Sequence, residues 1–410
     1  MSALADTRPL AGIRVVEFGQ FIAVPGAAML LADMGADVIK VESPEGDSAR
    51  RSASLGLQSP MYVGYNRNKR GIAIDLRSED GRAVARELAL GADVVLQNAR
   101  AGTLERLGLG AAALRAVKPE LIYASVSGFG LAGPSRARPG LDIAAQAESG
   151  MMSITGESGG GPLKVGFAVV DAATALALCS AITAALLRRF RTGVGETIET
   201  SLLQVAVQLQ TQIWSEFQHT GKTPARVGNR QPMAAPAADL IPVSDGFLVI
   251  SAYLETHFRR LCEAIGRPAL ADDPRFATNA ARVANRASLL PEIAAGLSHL
   301  TGEAAREKLE SHGVVVGIVR AYPQVLKSAD VLAEGLFQPV DNGEGRAIAL
   351  PGLPFQLADT PLPPATPVPR IGQHSVAILQ EAGFTAERIQ ALLDAGAVLA
   401  ETATCDAPPA

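Results

Sequence analysis

Cysteine is scarce in this chain, and its scarcity excludes two kinds of structure. Only three of the 410 residues are cysteines, and they lie far apart at Cys179, Cys262 and Cys405. Because none of them forms a Cys-x-x-Cys pair, we expect neither a disulfide framework nor a zinc site. An odd number of scattered thiols is typical of a reducing compartment, so we expect a cytoplasmic protein that holds no metal.

An excess of basic residues is also absent. The 37 Lys and Arg residues face 41 Asp and Glu residues, which gives a net charge of -4. No positive field therefore attracts nucleic acid or anionic lipid. The segment Met1–Pro9 lacks the apolar run of a secretory signal. The longest apolar stretch, Ala172 to Leu187, ends at Arg188, short of the roughly 18 residues that a membrane span needs, so we expect a buried helix and no membrane partner.

The first half of the chain has no histidine, because the five histidines begin at His219. A Ser-His-Asp or Cys-His catalytic device would need its histidine from the second half. The pattern Gly-x-Gly-x-x-Gly does not follow the first predicted strand, where Gly19 stands alone, and no complete phosphate-binding loop of the Walker type occurs. These absences disfavour a nicotinamide oxidoreductase and a nucleotide hydrolase.

What the chain does contain is a succession of strand and helix patterns. The β-branched runs Ile13–Phe18 and Ala36–Glu42 flank a helical pattern at Ala23–Met34. A strand, a helix and a second strand within about thirty residues predict a parallel pair with a right-handed crossover. Further strands are predicted at residues 71–76, 92–96 and 121–126. We therefore predict an α/β fold whose large domain has a doubly wound, mostly parallel, Rossmann-like sheet.

A second, smaller α/β domain is expected because the chain is long for a single core. From about Thr220 the composition changes, and Pro224, Gly228, Pro232 and Pro236 crowd together, which is typical of a linker. The predicted organisation is a first part of the large domain at 1–200, a linker at 201–225, the small domain at 226–330, and a return to the large domain at 331–410.

Asp171 occupies an unusual place in the sequence. A glycine turn at Gly156–Pro162 leads into the apolar run Leu163–Val170, which we interpret as a strand, and Asp171 then precedes the apolar helix. An aspartate in front of a helix is commonly an N-cap. A helix N-terminus also keeps a partly buried carboxylate ionised, as a nucleophile requires. The pattern is compatible with both roles.

Two further segments could meet a ligand. Residues Asn98–Gly102 follow the strand that ends at Leu96, and the carboxyl ends of parallel strands line ligand crevices. The basic cluster Asn66–Arg70 carries three positive charges. It is either solvated surface or a contact for the phosphates of a large anionic ligand.

Several stretches together carry a resemblance to a known family. They are Leu10–Phe18, Leu31–Glu42, Asn66–Leu76, Glu105–Leu109, Ser127–Gly130, Arg138–Gln146 and Asp272–Phe276. In these the chain resembles the class III coenzyme A transferases, the formyl-CoA transferase and CaiB/BaiF-type family. The resemblance implies a large domain formed by both ends of the chain, a small domain between them, and an interlocked homodimer.

The resemblance also implies a reaction and its residues. Asp171 falls at the position of the family's nucleophile, which takes coenzyme A (CoA) from an acyl-CoA thioester, the co-substrate, and passes it to a small carboxylic acid. No tightly bound cofactor is implied. The implied CoA contacts are Phe21 and Ala23 by their backbone, Ile74, Arg77, Asn98, Ala99 and Arg106. On the acid side, the positions are Ile22, Leu141, Asp142 and Tyr253.

Two alternatives remain open. The α-methylacyl-CoA racemases share this fold and use a histidine beside the aspartate, but Leu141 stands at that position here. Without a histidine in the first part of the large domain, a racemase with two bases is disfavoured. A CoA-binding protein without catalysis is the other alternative, and it leaves the carboxylate of Asp171 at the nucleophile's position unexplained.

Overall fold

A computed structural model describes residues 7–52, 58–343, 345–360 and 362–401. The strands are β1 Arg14–Phe18, β2 Asp37–Glu42, β3 Lys69–Ile74, β4 Val94–Gln97, β5 Ile122–Ser127, β6 Thr197–Ser201, β7 Ala237–Val243, β8 Gly246–Ser251, β9 Val315–Ile318, β10 Phe337–Asp341, β11 Ala347–Pro351 and β12 Val398–Leu399. The helices are α1 Ala23–Asp33, α2 Pro60–Tyr65, α3 Glu79–Gly91, α4 Thr103–Arg106, α5 Ala111–Arg115, α6 Asp142–Glu148, α7 Met151–Ile154, α8 Val169–Thr192, α9 Leu202–Gln208, α10 Thr211–Thr220, α11 Glu255–Ala264, α12 Asn279–Ala284, α13 Arg286–Leu297, α14 Gly302–Glu310, α15 Tyr322–Val325, α16 Ala329–Ala333, α17 Ser375–Glu381 and α18 Ala386–Asp394.

The large sheet has the strand order β12-β3-β2-β1-β4-β5-β6. All neighbouring strands are parallel except β12, which pairs antiparallel with β3. The prediction of a mixed α/β fold with a mostly parallel sheet is therefore confirmed. The strand order reverses between β1 and β4, and in doubly wound sheets ligands bind at the carboxyl ends of the strands at such a point.

The strands are apolar runs because both faces of the sheet are covered. One face packs against α3, α17 and α18 through residues such as Val84, Ile378 and Leu392. Helices α17 and α18 come from the end of the chain, and β12 follows them at the edge of the sheet beside β3. All eleven residues of α1 are buried, and α1 packs closely against α8.

Helix α8 differs from the prediction at its beginning. It starts at Val169, two residues before Asp171, and residues 163–168 are not a strand. Helix α8 is long and apolar enough to cross a membrane, with a mean hydropathy of 1.9 over its most apolar window. Buried helices of globular proteins meet the same criteria of length and composition. The α8 side chains Val170, Leu178 and Ile182 are buried within the protein.

The chain divides into two compact units. The first comprises Met1–Ser149, Val165–Thr211 and Glu334–Ala410, and the second comprises Gly150–Lys164 and Gln212–Ala333. The second unit has the antiparallel sheet β7-β8-β9 and its own core, formed with α11, α13 and α14. The glycine turn belongs to this unit because Arg226 donates hydrogen bonds to the carbonyls of Gly160 and Ser153. The predicted first part of the large domain had included that turn.

Candidate functional site

The loop that follows β1 is tightly held at the point where the strand order reverses. The side chain of Asn98, just after β4, accepts a hydrogen bond from Gln20 N (2.9 Å) and donates one to Gln20 O (2.8 Å). Phe21 has a left-handed backbone with φ of 64°, which costs a non-glycine residue about 1 kcal/mol. A Cβ at Gly19 would overlap Val24, so the chain needs glycine there.

Charged residues are buried beneath this loop. The ammonium group of Lys40 contacts Glu17 Oε1 (3.0 Å) and Asp47 Oδ2 (2.9 Å), and all three side chains belong to buried residues. Lys69 contacts the other carboxylate oxygen of Glu17 at 2.8 Å. Burial lowers the pKa of Lys69 to about 8, against the opposing effect of Glu17. Burial also acts to lower the pKa of Lys40, but Glu17 and Asp47 outweigh it and raise that pKa.

A cavity of about 270 Å³ opens at the carboxyl ends of β1, β2 and β3. Its walls are mainly apolar and include Phe18, Val41, Leu104 and Leu107, together with the predicted residues Ile74 and Ala99. The predicted residue Arg77 also lines it, and its guanidinium donates to Asp75 Oδ1 at 2.7 Å and lies 3.5 Å from Glu45 Oε1. The lining also includes the acidic residues Glu42, Glu45, Asp47 and Asp75. The apolar part of the cavity can accept an aromatic ring.

The other predicted CoA positions are not among the residues that line this cavity. Ala23 is the first residue of α1 and is buried, whereas Phe21 is partly exposed. Arg106 lies in α4, and its guanidinium donates to the hydroxyl of Thr103, which lines the cavity. Asn98 is engaged with the backbone of Gln20 through both its oxygen and its nitrogen.

Asp171 lies in the first turn of α8 and is not its N-cap. Ala168 is the N-cap, and it supplies no side-chain hydrogen bond. The cap comes instead from Asp142 in α6, whose Oδ2 accepts hydrogen bonds from Val170 N (2.7 Å) and Asp171 N (3.1 Å). Gln146 donates to the other oxygen of Asp142 and so holds it in place.

The carboxylate of Asp171 has no hydrogen bond or ion pair with the residues that the structure describes. Burial and, as the second cause, the nearby charge of Asp142 together raise its pKa from 3.8 to about 7. The pKa of Tyr65 is raised by burial and by the charge of Asp171, which puts this phenol in the same neighbourhood. A carboxyl group that is half ionised at neutral pH can act as a nucleophile or as a general acid or base.

The closeness of two helices fixes the position of Asp171. A Cβ at Gly26 in α1 would lie 2.9 Å from the Cβ of Ala175 in α8 and 3.4 Å from the ring of Tyr65. Ala175 lies one helical turn after Asp171, so the contact with α1 is directly beside the carboxylate. Glycine at position 26 therefore allows the approach that sets this geometry.

The predicted acid-side residues lie in different parts of the chain. Ile22 is buried and precedes α1, and Leu141, the N-cap of α6, is 60% exposed beside Asp142. Tyr253 is exposed and belongs to the second unit. Within the described ranges, no three His, Cys, Asp or Glu side chains come together in a group that could hold a metal ion.

The basic cluster Asn66–Arg70 is neither a solvated surface patch nor a contact for phosphates, because its charges pair with carboxylates of the protein. Arg67 is buried against Asp33, Lys69 against Glu17, and Arg70 pairs with Asp37 and Glu381. Sequence reasoning also missed Lys40, Asp47 and Tyr65. A usable signal was present for the first, because Glu17 and Lys40 are charged residues flanked by apolar residues inside strands that are buried on both faces.

Comparison with known proteins identifies relatives along almost the whole chain. The sequence model described as CoA-transferase family III matches residues 10–375. The succinate–glutarate CoA-transferase of Agrobacterium fabrum is 37% identical, over 91% of this chain and 95% of the relative. The succinyl-CoA:mesaconate CoA-transferase of Haloarcula hispanica is 36% identical, over 93% and 97%. A crystal structure of a CaiB/BaiF family protein from Brucella suis superposes with a TM-score of 0.83 at 35% identity, over 91% of this chain and 99% of that one.

Proposed function

This chain belongs to CoA-transferase family III, and we propose that it moves CoA from an acyl-CoA thioester to a free carboxylic acid through covalent intermediates on Asp171. The observation that carries the proposal is the half-buried carboxyl group of Asp171 at the first turn of α8, which has no partner in the described part of the chain and a pKa of about 7. Relatives that cover more than nine-tenths of the chain are named as CoA transferases.

The reaction balances without any further reactant. The Asp171 carboxylate attacks the thioester carbonyl, a C–O bond forms, and the C–S bond breaks with release of the CoA thiolate. The thiolate attacks the Asp171 carbonyl of this anhydride, which frees the donor acid and leaves an aspartyl-CoA thioester. The acceptor carboxylate then attacks the aspartyl-CoA carbonyl, which forms a second anhydride and releases the CoA thiolate. The thiolate attacks the acceptor's carbonyl in this anhydride, so the acceptor leaves as its CoA thioester and the Asp171 carboxylate is regenerated. Each step keeps an activated acyl group and avoids loss of the thioester energy.

The environment of Asp171 favours its acylation. An ionised Asp171 is repelled by Asp142 and poorly solvated, and both effects raise the pKa of Asp171. Conversion to an anhydride or a thioester removes the negative charge and relieves the repulsion. At neutral pH a large fraction of Asp171 is still ionised and able to attack, because its pKa is about 7.

The cavity beside β1 is the proposed subsite for the adenine end of CoA. Its 270 Å³ volume is below the roughly 300–1,000 Å³ of a site that encloses a whole drug-sized ligand, so only part of CoA fits inside. The apolar walls, with Ile74 and Ala99, suit a flat ring. Arg77 at the cavity and Arg106 nearby supply cations for the phosphates, and the backbone of Phe21 and Ala23 meets the chain that leads to the thioester.

The donor and acceptor are proposed from the relatives. Those relatives are named for succinate, glutarate and mesaconate, which are short dicarboxylic acids. We assign succinyl-CoA as donor and a dicarboxylic acid of this class as acceptor, with Ile22 and Leu141 of the first unit as residues that shape the acid's site. Incubation with succinyl-CoA and a panel of mono- and dicarboxylic acids, followed by mass spectrometry, reveals the new thioesters.

The transfer assay, a CoA-binding measurement and a deuterium-exchange assay together separate the remaining alternatives. Asp171→Ala should bind CoA but transfer none of it, while an active Asp171→Ala would exclude the covalent mechanism. Binding of CoA by the unmodified chain without transfer to any acid would favour a non-catalytic CoA-binding protein. A racemase would exchange the α-proton of a 2-methylacyl-CoA with deuterium, and we expect no exchange because Leu141 supplies no base.

An interlocked homodimer is the proposed assembly. The outer side of α8 exposes large apolar side chains, with Leu187 61% and Phe190 71% accessible in the single chain. A second copy would cover this side, because monomers rarely leave such apolar surface in contact with water. Light scattering after size exclusion should give twice the 42.5 kDa chain mass, and a monomer would contradict the assembly.

The proposed location is the cytoplasm. Cys179 and Cys262 are free, buried thiols, as expected in a reducing compartment. Fractionation of the source cells that recovers the protein in a membrane or extracellular fraction would contradict this location.

A further inference from the structure

Three consecutive residues in the loop after β1 are held by side chains from outside the loop. Gly19 O accepts a hydrogen bond from Lys40 Nζ at 2.9 Å. The next residue, Gln20, is bonded through both its N–H and its carbonyl to Asn98. Phe21 N donates to Asp47 Oδ1 at 3.3 Å. Phe21 has a left-handed backbone conformation, which a non-glycine residue adopts only when surrounding contacts stabilise it. The loop backbone is therefore anchored at three successive residues.

Lys40 and Asp47 form the centre of this arrangement. The ammonium of Lys40 donates hydrogen bonds to Glu17 Oε1 (3.0 Å) and Gly19 O (2.9 Å), and it forms an ion pair with Asp47 Oδ2 at 2.9 Å. Asp47 uses one oxygen for Lys40 and the other for the N–H groups of Phe21 and Ala49. Both side chains are fully enclosed, so removal of Asp47 leaves the two buried ammonium groups of Lys40 and Lys69 to share the carboxylate of Glu17.

The held loop is also part of the cavity. Gly19, Gln20 and Asp47 all line it, and Phe21 leads directly into the first turn of α1. Asp171 is on another helix, and neither Lys40 nor Asp47 has a hydrogen bond or an ion pair with it among the described residues. The arrangement therefore shapes the cavity without reaching the carboxylate.

We propose that the buried Lys40–Asp47 pair is a positioning device that fixes the loop 19–21 before the ligand arrives and thereby sets the affinity for the CoA portion of the substrate. This inference rests on the proposed function, since it takes CoA as the ligand of the cavity. A loop that is ordered in advance does not lose conformational entropy when the ligand binds. The dissociation constant is therefore lower than it would be for a flexible loop. Lys40 and Asp47 act through the loop and touch no reacting atom.

The test compares Asp47→Ala and Asp47→Asn with a control at the opposite end of α1. Like Asp47, Asp33 is a buried carboxylate in an ion pair, and its partner is Arg67. Asp33 is the last residue of α1, about 16 Å along the helix axis from the loop. Asp33→Ala therefore removes a comparable buried pair without touching the loop. Calorimetric titration with free CoA gives Kd, steady-state kinetics separate KM for acyl-CoA from kcat, and circular dichroism monitors folding and Tm.

We expect Asp47→Ala to raise Kd and KM about tenfold or more, with a much smaller change in kcat. Asp47→Asn keeps an acceptor for Phe21 N, so its increase should be smaller, about threefold; it also serves as the test if the alanine variant does not fold. Asp33→Ala should lower Tm and leave Kd unchanged within about twofold.

Two results would overturn the inference. One is an unchanged Kd in both Asp47 variants, and the other is an increase in Asp33→Ala that equals the increase in Asp47→Ala. The proposed transfer reaction fails separately, when the unmodified chain binds CoA but transfers none, and in that case the Kd comparison still decides the role of the loop. Absence of CoA binding by the unmodified chain overturns both proposals.

Discussion

Replacement of Asp142 by asparagine should lower the pKa of Asp171. Burial is the larger cause of the rise from 3.8 to about 7, and the charge of Asp142 is the second. We therefore expect Asp142→Asn to remove the smaller part of the rise, about one pH unit, so that Asp171 titrates at a lower pH. Asparagine can still accept the hydrogen bonds from Val170 N and Asp171 N through its side-chain oxygen, which preserves the cap of α8.

The assay is the pH dependence of kcat/KM for acyl-CoA, which reports the ionisation of the free enzyme. Activity should rise with pH through the pKa of Asp171, and the acidic limb should move to lower pH by about one unit in Asp142→Asn. Asp93→Asn is the matched control, because Asp93 also accepts a backbone N–H and contacts Arg189 near the other end of α8, about 27 Å from Asp171 along the helix. The reasoning is refuted if a folded Asp142→Asn shows an unchanged or higher midpoint, or if the control moves it equally.

Three further perturbations follow from the same geometry. Asp171→Asn should stabilise the fold above pH 7 by about 1–3 kcal/mol. The reason is that the raised pKa of Asp171 makes the unmodified chain lose stability as the pH rises from about 4 to 7. Equal unfolding free energies of the two chains at pH 8 would contradict this. Gly26→Ala should cost about 1–3 kcal/mol and most of the activity by pushing α8 away, and Ala175→Gly should restore part of both; no restoration in the double variant would refute the contact. If the proposed dimer forms through α8, Phe190→Asp should shift it toward monomer in light scattering, and an unchanged dimer mass would argue against α8 as the interface.

The parallel sheet was predictable because its strands are β-branched runs of the length that buried parallel strands require. β1 and β2 appear in the sequence as apolar segments separated by one helix, and the structure pairs them in parallel, for example Val15 with Val38. The antiparallel strand β12 was not predicted. It has only two residues, too few for a recognisable pattern.

The capping of α8 could not be predicted from neighbouring residues. Local rules favour Asp171 as the N-cap because an aspartate precedes an apolar helix. The actual acceptor is Asp142, which lies 29 residues earlier in the sequence, and it allows the helix to begin at Val169. The same limit applies to the basic cluster, because the partners of Arg67 and Lys69 are Asp33 and Glu17, and only the tertiary fold brings them together.

The most direct test of the central claim is to trap the covalent intermediate. The protein is incubated with succinyl-CoA without an acceptor acid, treated with hydroxylamine, digested and sequenced by mass spectrometry. We expect a hydroxamate on Asp171 and none on Asp142, which caps the same helix through the N–H of Asp171. An enzyme that transfers CoA while Asp171 stays unmodified would contradict the covalent mechanism.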